Sequence, residues 1–234
     1  MSRAQELAAA LAEVEARLVA ACAAAGRPRT DVLLLAVTKT WPLTDVEHLR
    51  DLGLSDFAEA RDQEAADKAR ALPGVRWHLV GQLQTNKAAS VAGYADVVHA
   101  LDRPSLAVAL SKGAVRAGRT LEVLLQVRLD TPGAPVDAAR GGAAPDDVAG
   151  LAELAAGLEG LRLAGVMGVA PIGEDPRPAF DLLAAVAARL RADHPGAGAV
   201  SAGMSGDLEQ AVAAGATIVR VGTALLGDRP PLLR

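Results

Sequence analysis

Short apolar stretches rich in β-favouring residues alternate along this chain with helical patterns. The stretches are bounded by Gly, Pro or charged residues, which is typical of buried strands in a parallel sheet. They fall at 32–38, 55–59, 76–81, 96–100, 122–129, 162–169, 199–202 and 217–222. Helical patterns lie between them, for example at 46–52, 63–72, 105–117, 146–158, 180–192 and 208–214, and another covers 1–26. This order predicts an α/β fold, a (β/α)8 TIM-type barrel with an extra N-terminal helix.

The whole chain, residues 1–234, is predicted to form one domain. Its 234 residues are 51% hydrophobic, which is enough for one large core, and barrels of this class often reach this size. No repeat, low-complexity segment or linker divides it. A doubly wound open sheet is the alternative, because short strands are easily misassigned.

Two cations mark a candidate site at the ends of the predicted sheet. Lys39 closes the apolar run 31–39, and Arg220 lies inside the run 217–222. Because side chains alternate along a strand, Lys39 shares a face with Val37, and Arg220 shares one with Gly222. The first and last strands of a barrel are neighbours. Both cations are therefore expected to be buried, to point inward and to lie side by side at the C-terminal rim, where barrel active sites form.

Two buried cations with no carboxylate nearby in sequence require an anion, since an unpaired buried charge costs about 3–5 kcal/mol. The predicted loops after strands seven and eight suggest phosphate. The first, 203–207, carries the Ser205 hydroxyl and opens a helix, and the second offers Gly222 and Thr223. The alternative is structural, with Ser205 as a helix N-cap and Gly222 as a turn residue.

A lysine beside a bound phosphate could pair with it or act as a Schiff-base nucleophile. Desolvation and the nearby Arg220 would both lower the pKa of Lys39 and favour the neutral amine. Pyridoxal 5′-phosphate (PLP) satisfies both possibilities. It has a phosphate for Ser205 and Thr223, an aldehyde for Lys39 and a ring nitrogen for Arg220. These arguments make PLP plausible but not unique.

Four motifs carry a resemblance to a known family. Ala36-Val-Thr-Lys-Thr40, Trp77-His-Leu-Val-Gly-Gln-Leu-Gln-Thr-Asn-Lys87, Gly203-Met-Ser-Gly-Asp207 and Val219-Arg-Val-Gly-Thr223 resemble, in order and spacing, the pyridoxal phosphate homeostasis protein family. That family is similar to the N-terminal barrel of alanine racemase.

The resemblance covers essentially the whole chain and implies a role for each candidate residue. It implies that Lys39 binds PLP as a Schiff base and that Arg220 meets the pyridine nitrogen. It further implies phosphate contacts from Ser205, Gly222 and Thr223. Family members are regarded as carriers or regulators in vitamin B6 and amino-acid balance, without an established turnover reaction. PLP-dependent apoenzymes are the partners this implies.

One segment departs from the family pattern. The family usually has Phe-Gly-Glu-Asn after its second strand, whereas this chain reads Phe57-Ala-Glu-Ala60. Ala58 and Ala60 thus replace the usual Gly and Asn, and the loss of the asparagine removes a polar contact that can orient the cofactor. Glu59 and Gln63 remain at matching positions.

The enzymatic alternative is a PLP-dependent amino-acid racemase with weak activity. A racemase of the alanine type needs a second acid/base opposite the lysine, and the single tyrosine, Tyr94, is predicted at the N-terminal end of the barrel. The chain also ends at Arg234, soon after the eighth strand, which leaves no room for the racemase's second domain. An arginine at the pyridine nitrogen should leave the ring unprotonated and a poor electron sink. A barrel enzyme acting on another phosphorylated metabolite is a third possibility.

Charge and composition argue against other partners. A net charge of −4 and a pI of about 5.6 argue against nucleic acid or an acidic membrane as the main partner. The acidic segment 1–26 lacks a signal-peptide pattern, so a cytoplasmic location is expected. A single cysteine, Cys22, excludes an internal disulfide and a thiolate zinc cluster. We expect a monomer.

The histidines show no metal-ligand spacing, so no metal site is expected. His48, His99 and His194 are scattered, and His78 either lines the lumen or is a hydrogen-bonded core residue. The segment 130–147, rich in Gly, Pro and Ala, is predicted to be a rim loop, either a lid or simply mobile.

Overall fold

The apolar stretches form parallel strands that close into a barrel in sequence order. The computed structural model describes residues 1–130 and 141–228, and its neighbouring strands run β1-β2-β3-β4-β5-β6-β7-β8 around a closed sheet. The strands are β1 (Leu33–Val37), β2 (Asp56–Glu59), β3 (Arg76–Leu79), β4 (Val97–Leu101), β5 (Leu121–Val127), β6 (Leu161–Gly168), β7 (Ala199–Ser201) and β8 (Ile218–Val221). The predicted (β/α)8 barrel is therefore confirmed, and the open-sheet alternative is wrong.

Helices follow the strands and cover the outside of the barrel. In the described part of the chain they are α1 (Arg3–Ala24), α2 (Leu43–Asp51), α3 (Asp62–Ala71), α4 (Ala88–Tyr94), α5 (Pro104–Ala117), α6 (Val148–Gly157), α7 (Arg177–Asp193), α8 (Leu208–Ala213) and α9 (Thr223–Leu226). Most predicted segments match to within a few residues at each end. The short helix α9 was not predicted, since four residues carry too little periodicity to be recognised.

The side-chain alternation along the strands separates two apolar layers. Leu34 and Val219 face outward and pack in a cluster with α1 residues such as Leu18. Leu35 and Ile218 point the other way and form a small cluster inside the barrel. The period-two argument from the sequence is thus confirmed for β1 and β8.

A seam between β1 and β8 closes the barrel and determines how the candidate cations are placed. Leu35 is the register partner of Arg220, and Ala36 is the partner of Val221. The Leu33 N–H donates to the Thr217 carbonyl at 2.8 Å, so the hydrogen-bonded seam begins below these pairs. Residues from distant parts of the sequence therefore share one edge of the lumen.

Helix α1 supports the loops at the C-terminal rim. Its start is stabilised by a capping box in which Ser2 and Gln5 bond each other's backbone N–H groups. Arg17 donates to the Ser205 carbonyl at 3.0 Å and pairs with Glu209 at 2.8 Å. Arg3 donates to the Leu226 carbonyl at 2.9 Å. The predicted extra helix thus holds the segments that follow β7 and β8.

Part of the predicted rim loop lies outside the described residues. That part is residues 131–140 of the segment 130–147. Whether the loop is a lid or a mobile segment is therefore not tested. The described end of the loop returns to the barrel, where the Ala143 N–H donates to the Gln126 carbonyl at 2.8 Å and the Arg128 N–H donates to the Ala143 carbonyl at 2.9 Å.

Within the described ranges, none of the helices combines the length and apolarity needed to span a bilayer.

Candidate functional site

Arg220 is a buried cation on the lumen side of β8. Its side chain donates to the Ser201 hydroxyl at 2.7 Å and to the Gly168 carbonyl at 2.9 Å, and the residue is 5% exposed. Burial lowers the pKa of Arg220 to about 10, against the attraction of Asp207, so the guanidinium stays charged at neutral pH. Both acceptors are uncharged. Among the described residues, no carboxylate lies within ion-pair distance of Arg220. The buried guanidinium therefore still lacks an anionic or ligand partner, as the sequence predicted.

Lys39 lies just beyond the end of β1. The prediction that Lys39 and Arg220 form a buried pair therefore needs correction. The residue is partly exposed, because it has passed the last strand hydrogen bonds and reached the open rim. Arg220 pairs in register with Leu35, four positions earlier on β1. The two cations therefore lie along the same seam at different depths, with Arg220 deep and Lys39 at the rim, and not side by side.

A buried ion network holds the backbone on both sides of Lys39. The Lys68 ammonium donates to the Thr38 carbonyl at 2.8 Å, to Glu59 Oε1 at 2.6 Å and to Glu64 Oε1 at 2.8 Å. The Thr40 N–H donates to the same Glu64 oxygen at 2.6 Å.

The network also orders the turn that follows β1. Thr40 has a φ of 71°, an uncommon backbone conformation for a residue other than glycine. Thr38 donates through its hydroxyl to Glu59 at 2.7 Å. Burial raises the pKa of Glu59, although Lys68 and Thr38 oppose the rise. The sequence reasoning missed this network; the Glu64 and Lys68 spacing of i,i+4 was the available signal.

The loop after β7 places Ser205 differently from the prediction. Helix α8 begins at Leu208 with Asp207 as its N-cap, so Ser205 does not cap that helix. The Ser205 hydroxyl instead accepts the Ala224 N–H at 3.1 Å, in the first turn of α9. Ser205 therefore joins the loops after β7 and β8, and its hydroxyl bonds the first turn of α9 and not that of α8.

Glycine is required where the β7 loop turns back over β8. Gly203 has a φ of 86°, and its carbonyl accepts the Arg220 N–H at 2.9 Å. A Cβ on Gly203 would lie 2.6 Å from the Ala211 Cβ. The close approach of loop, strand and helix α8 thus depends on the absence of a side chain at this position.

Gly222 and Thr223 connect β8 directly to α9. A Cβ on Gly222 would lie 3.4 Å from the Val37 carbonyl oxygen, so this residue lies against the end of β1. Gly222 is the N-cap of α9, and Thr223 is its first residue. Ser205, Gly222 and Thr223 are therefore brought to one region of the rim, beside the end of the strand that carries Lys39.

The residues present fit a PLP group on structural grounds. A buried guanidinium with only neutral acceptors among the described residues suits an uncharged ring nitrogen. Hydroxyl and backbone groups of two joined loops suit a phosphate. An amine at the rim end of the same seam suits an aldehyde. Within the described ranges, no group of three or more His, Cys, Asp or Glu residues is arranged to hold a metal ion.

A line of buried polar side chains leads from Arg220 through the lumen, and the sequence reasoning did not connect these residues. Ser201 Oγ lies 3.0 Å from His99 Nδ1. His99 Nε2 lies 2.9 Å from His78 Nδ1, and His78 Nε2 lies 3.0 Å from Asp56 Oδ1. His78 lines the lumen and is also a hydrogen-bonded core residue, so the two predicted alternatives for this histidine are both correct. Burial, followed by electrostatic repulsion from His78 and from Arg220, lowers the pKa of His99 well below its ordinary value.

The segment that departs from the family pattern lies beside the site. Ala58 is fully buried in the lumen cluster, and its carbonyl accepts the Thr38 N–H at 2.9 Å. Ala60 lines a cleft of about 640 Å³ together with Gln63. A Cβ on Gly81 would collide with the Ala60 carbonyl, which fixes the path of the chain here.

Tyr94 lies at the opposite end of the barrel from the loops that carry Ser205 and Thr223. It is the last residue of α4 and precedes β4, in agreement with the sequence prediction. Burial raises the pKa of its hydroxyl, with Asp62 adding to the rise. Its ring packs against the two outer apolar clusters and is not part of the described lumen cluster.

Comparison with known proteins gives a consistent assignment. Residues 10–230 match the family model described as "Alanine racemase, N-terminal domain". A protein of Mycobacterium tuberculosis named "Pyridoxal phosphate homeostasis protein" is 43% identical, in an alignment that covers 97% of this chain and 94% of that protein.

Two solved structures are similar over nearly the full chain. PipY of Synechococcus elongatus, with PLP bound, is 31% identical with a TM-score of 0.79, and the match covers 97% of this chain and 100% of PipY. An unknown protein of Bifidobacterium adolescentis is 31% identical with a TM-score of 0.87, and the match covers 95% of each chain. On these grounds the chain belongs to the pyridoxal phosphate homeostasis protein family.

Proposed function

We propose that this protein binds pyridoxal 5′-phosphate covalently through Lys39 and serves in intracellular PLP homeostasis and amino-acid balance. The observation that carries the proposal is Arg220, a buried charged guanidinium on the β1–β8 seam with neutral acceptors at 2.7 and 2.9 Å. The name of the M. tuberculosis relative and the PLP bound to PipY support the same conclusion.

Each predicted site residue has a distinct task in this proposal. When bound, PLP supplies an aldehyde that an amine can attack and an electron-withdrawing ring. Lys39 would provide the amine, and Arg220 would donate a hydrogen bond to the ring nitrogen. Ser205, Gly222 and Thr223 hold the phosphate at the joined loops, where backbone N–H groups add further donors.

The charge state of Arg220 favours storage over turnover. With a pKa of about 10, its guanidinium does not transfer a proton to a pyridine nitrogen at neutral pH. Arg220 would therefore leave the ring nitrogen unprotonated, which gives poor support to the carbanion chemistry of a racemase. The position of Tyr94 removes the second acid/base that a racemase of the alanine type needs. The protein acts as a holder of PLP, as a monomer in the cytoplasm, with PLP-dependent apoenzymes as recipients.

Reduction with borohydride tests the proposal. Purified protein incubated with PLP should show visible absorption that borohydride abolishes, with the label on Lys39 alone in peptide maps. Lys39→Met should lose the reducible species, whereas Lys112→Met, which removes an exposed lysine of α5, should keep it. Label on Lys87 or Lys112 with Lys39 unmodified would contradict the assignment. An amino-acid racemisation assay on the same preparation separates storage from weak racemase activity.

A further inference from the structure

The chain of polar side chains in the lumen has two ends whose hydrogen-bonding roles are fixed. Arg220 can only donate, because a guanidinium has no acceptor. Asp56, at the start of β2, is 6% exposed. Burial opposes its ionised form, but hydrogen bonds from His78 and Ser55 lower the pKa of Asp56 below its ordinary value. The carboxylate therefore only accepts at neutral pH.

Between these ends, two directions of donation are possible. If both rings are neutral, His78 donates from Nε2 to Asp56, its Nδ1 accepts from His99 Nε2, and His99 Nδ1 accepts from the Ser201 hydroxyl. The reverse direction requires a doubly protonated His78, which donates from Nδ1 to His99. His99 would then point its Nδ1–H at Ser201, toward the guanidinium.

Electrostatics favours the first direction. It runs from a cation at Arg220 to an anion at Asp56 with every donor dipole aligned, so that each bond polarises the next. The second direction would pair a charged His78 with Asp56 at 3.0 Å, but it also places another cation inside the lumen and turns the His99 Nδ1–H dipole toward Arg220. His78 is 2% exposed and His99 and Ser201 are fully buried, so water does not screen that repulsion.

We infer that Ser201, His99, His78 and Asp56 are positioning residues for Arg220, joined in one hydrogen-bond chain in which donation runs from Arg220 to Asp56. The inference rests on the proposed function, since it gives these residues the task of orienting the arginine that is proposed to bond the cofactor ring. Because the Ser201 hydroxyl donates its proton to His99, its oxygen lone pairs are directed toward Arg220. One N–H of each terminal nitrogen is then occupied, by Ser201 and by Gly168, and the remaining donors are held in a fixed orientation.

Nitrogen NMR of the histidine rings tests the direction without any cofactor. The chain has four histidines, so His78→Gln and His99→Gln variants assign their signals. In the wild-type protein with no PLP added at pH 7, both rings are expected to be neutral and to carry the proton on Nε2. A proton on His99 Nδ1, or two protons on His78, would overturn the inference. The protonation is read from the wild-type spectrum, and the two variants serve only to assign its signals.

Two variants test whether the chain acts on the cofactor site. Ser201→Ala removes the acceptor beside Arg220, and we expect PLP to dissociate roughly tenfold more readily with a shifted visible absorption. Asp56→Asn keeps the shape at the far end and removes the charge, and we expect a smaller shift of the same sign. Glu122→Gln is the matched control. Glu122 pairs with Arg76 at the N-terminal end of the barrel, as Asp56 does, but it does not belong to the row of hydrogen bonds that leads to Arg220.

The outcomes separate the inference from the proposed function. Wild-type absorption and PLP affinity in a folded Ser201→Ala variant would overturn the positioning role. An effect of Asp56→Asn no larger than that of Glu122→Gln would overturn the extension of the chain to Asp56. Failure of the wild-type protein to form a borohydride-reducible adduct would refute the proposed function, while leaving the ring protonation measured by NMR unaffected.

Discussion

Replacing Lys68 with methionine should destabilise the protein severely although the residue lies outside the proposed binding site. Its ammonium makes bonds of 2.6–2.8 Å to Glu59, Glu64 and the Thr38 carbonyl. Lys68→Met keeps an unbranched apolar side chain of similar length and removes every one of these bonds.

The size of the effect follows from the burial of each partner. Glu59 has a side-chain exposure of 0%, so its charge is left uncompensated, at a cost of about 3–5 kcal/mol. Glu64 is 24% exposed, and its pair with Lys68 adds only about 0–1 kcal/mol. Typical domains have a free energy of unfolding of about 5–15 kcal/mol, so this loss is a large fraction of the total.

Denaturant unfolding of Lys68→Met and a double variant measures this effect. The midpoint of the single variant should fall sharply, and Glu59→Gln/Lys68→Met should recover about half of the loss, because no buried charge remains. The deficit should also shrink as the pH falls from 7 toward 5. Burial already raises the pKa of Glu59, and the loss of Lys68 raises it further, so acid neutralises the unpaired carboxylate.

Lys112→Met is the control, since Lys112 is exposed on a helix of the same barrel. We expect it to change the free energy of unfolding by less than about 0.5 kcal/mol. A Lys68→Met variant as stable as Lys112→Met, or equally destabilised at pH 5 and pH 7, would refute the reasoning. PLP retention should fall with stability, because the same network holds the backbone on both sides of Lys39.

Three further predictions concern the cofactor contacts and the lumen. Arg220→Glu should shift the visible spectrum of the bound cofactor and permit slow side reactions with amino acids, since a carboxylate stabilises a protonated pyridine nitrogen. Ser205→Ala and Thr223→Val should each raise the PLP dissociation constant about tenfold to a hundredfold, from the loss of about 1.5–3 kcal/mol per hydrogen bond to phosphate. The free energy of unfolding of wild type should fall as the pH drops below about 6.5, by up to about 1.4 kcal/mol per unit. The unfolded chain gains a proton on His99 there, whereas the folded-state pKa of His99 is lowered.

Each of these predictions has a result that would contradict it. An unchanged spectrum of Arg220→Glu at full occupancy would place Arg220 away from the ring. Equal preference for PLP over unphosphorylated pyridoxal in wild type and in the Ser205→Ala/Thr223→Val variant would place the phosphate elsewhere. For the lumen, His99→Asn should flatten the pH dependence and His48→Gln should not. The same slope in all three proteins would show that another group titrates.

The barrel was predictable because its information is local and repeated. Alternating strand and helix patterns fix the class, and the period of two correctly predicts that Leu35 and Ile218 face the lumen. The depth of Arg220 relative to Lys39 was not predictable in the same way. It depends on the register between β1 and β8, and a shift of two residues would keep the same side chains facing inward.

The polar networks required information that no sequence segment contains. Lys68 belongs to a helix of ten residues that includes Asp62, Glu64, Asp67 and Arg70, which is typical of a solvent-exposed helix. Its burial becomes evident only when α3 lies beside the end of β1. Asp56, His78, His99 and Ser201 come from β2, β3, β4 and β7, and only the closed barrel aligns them.

The β1–β8 seam makes the proposed binding site a reporter of complete folding. Strands that are distant in sequence must pair before Arg220 comes beside Leu35 in the middle of β1, and such long-range contacts form late because loop closure costs entropy. Partially folded chains with an open seam would lack the site. Bound PLP would then stabilise only the closed barrel, and its visible absorption would measure the fraction of molecules in which the first and last strands have paired.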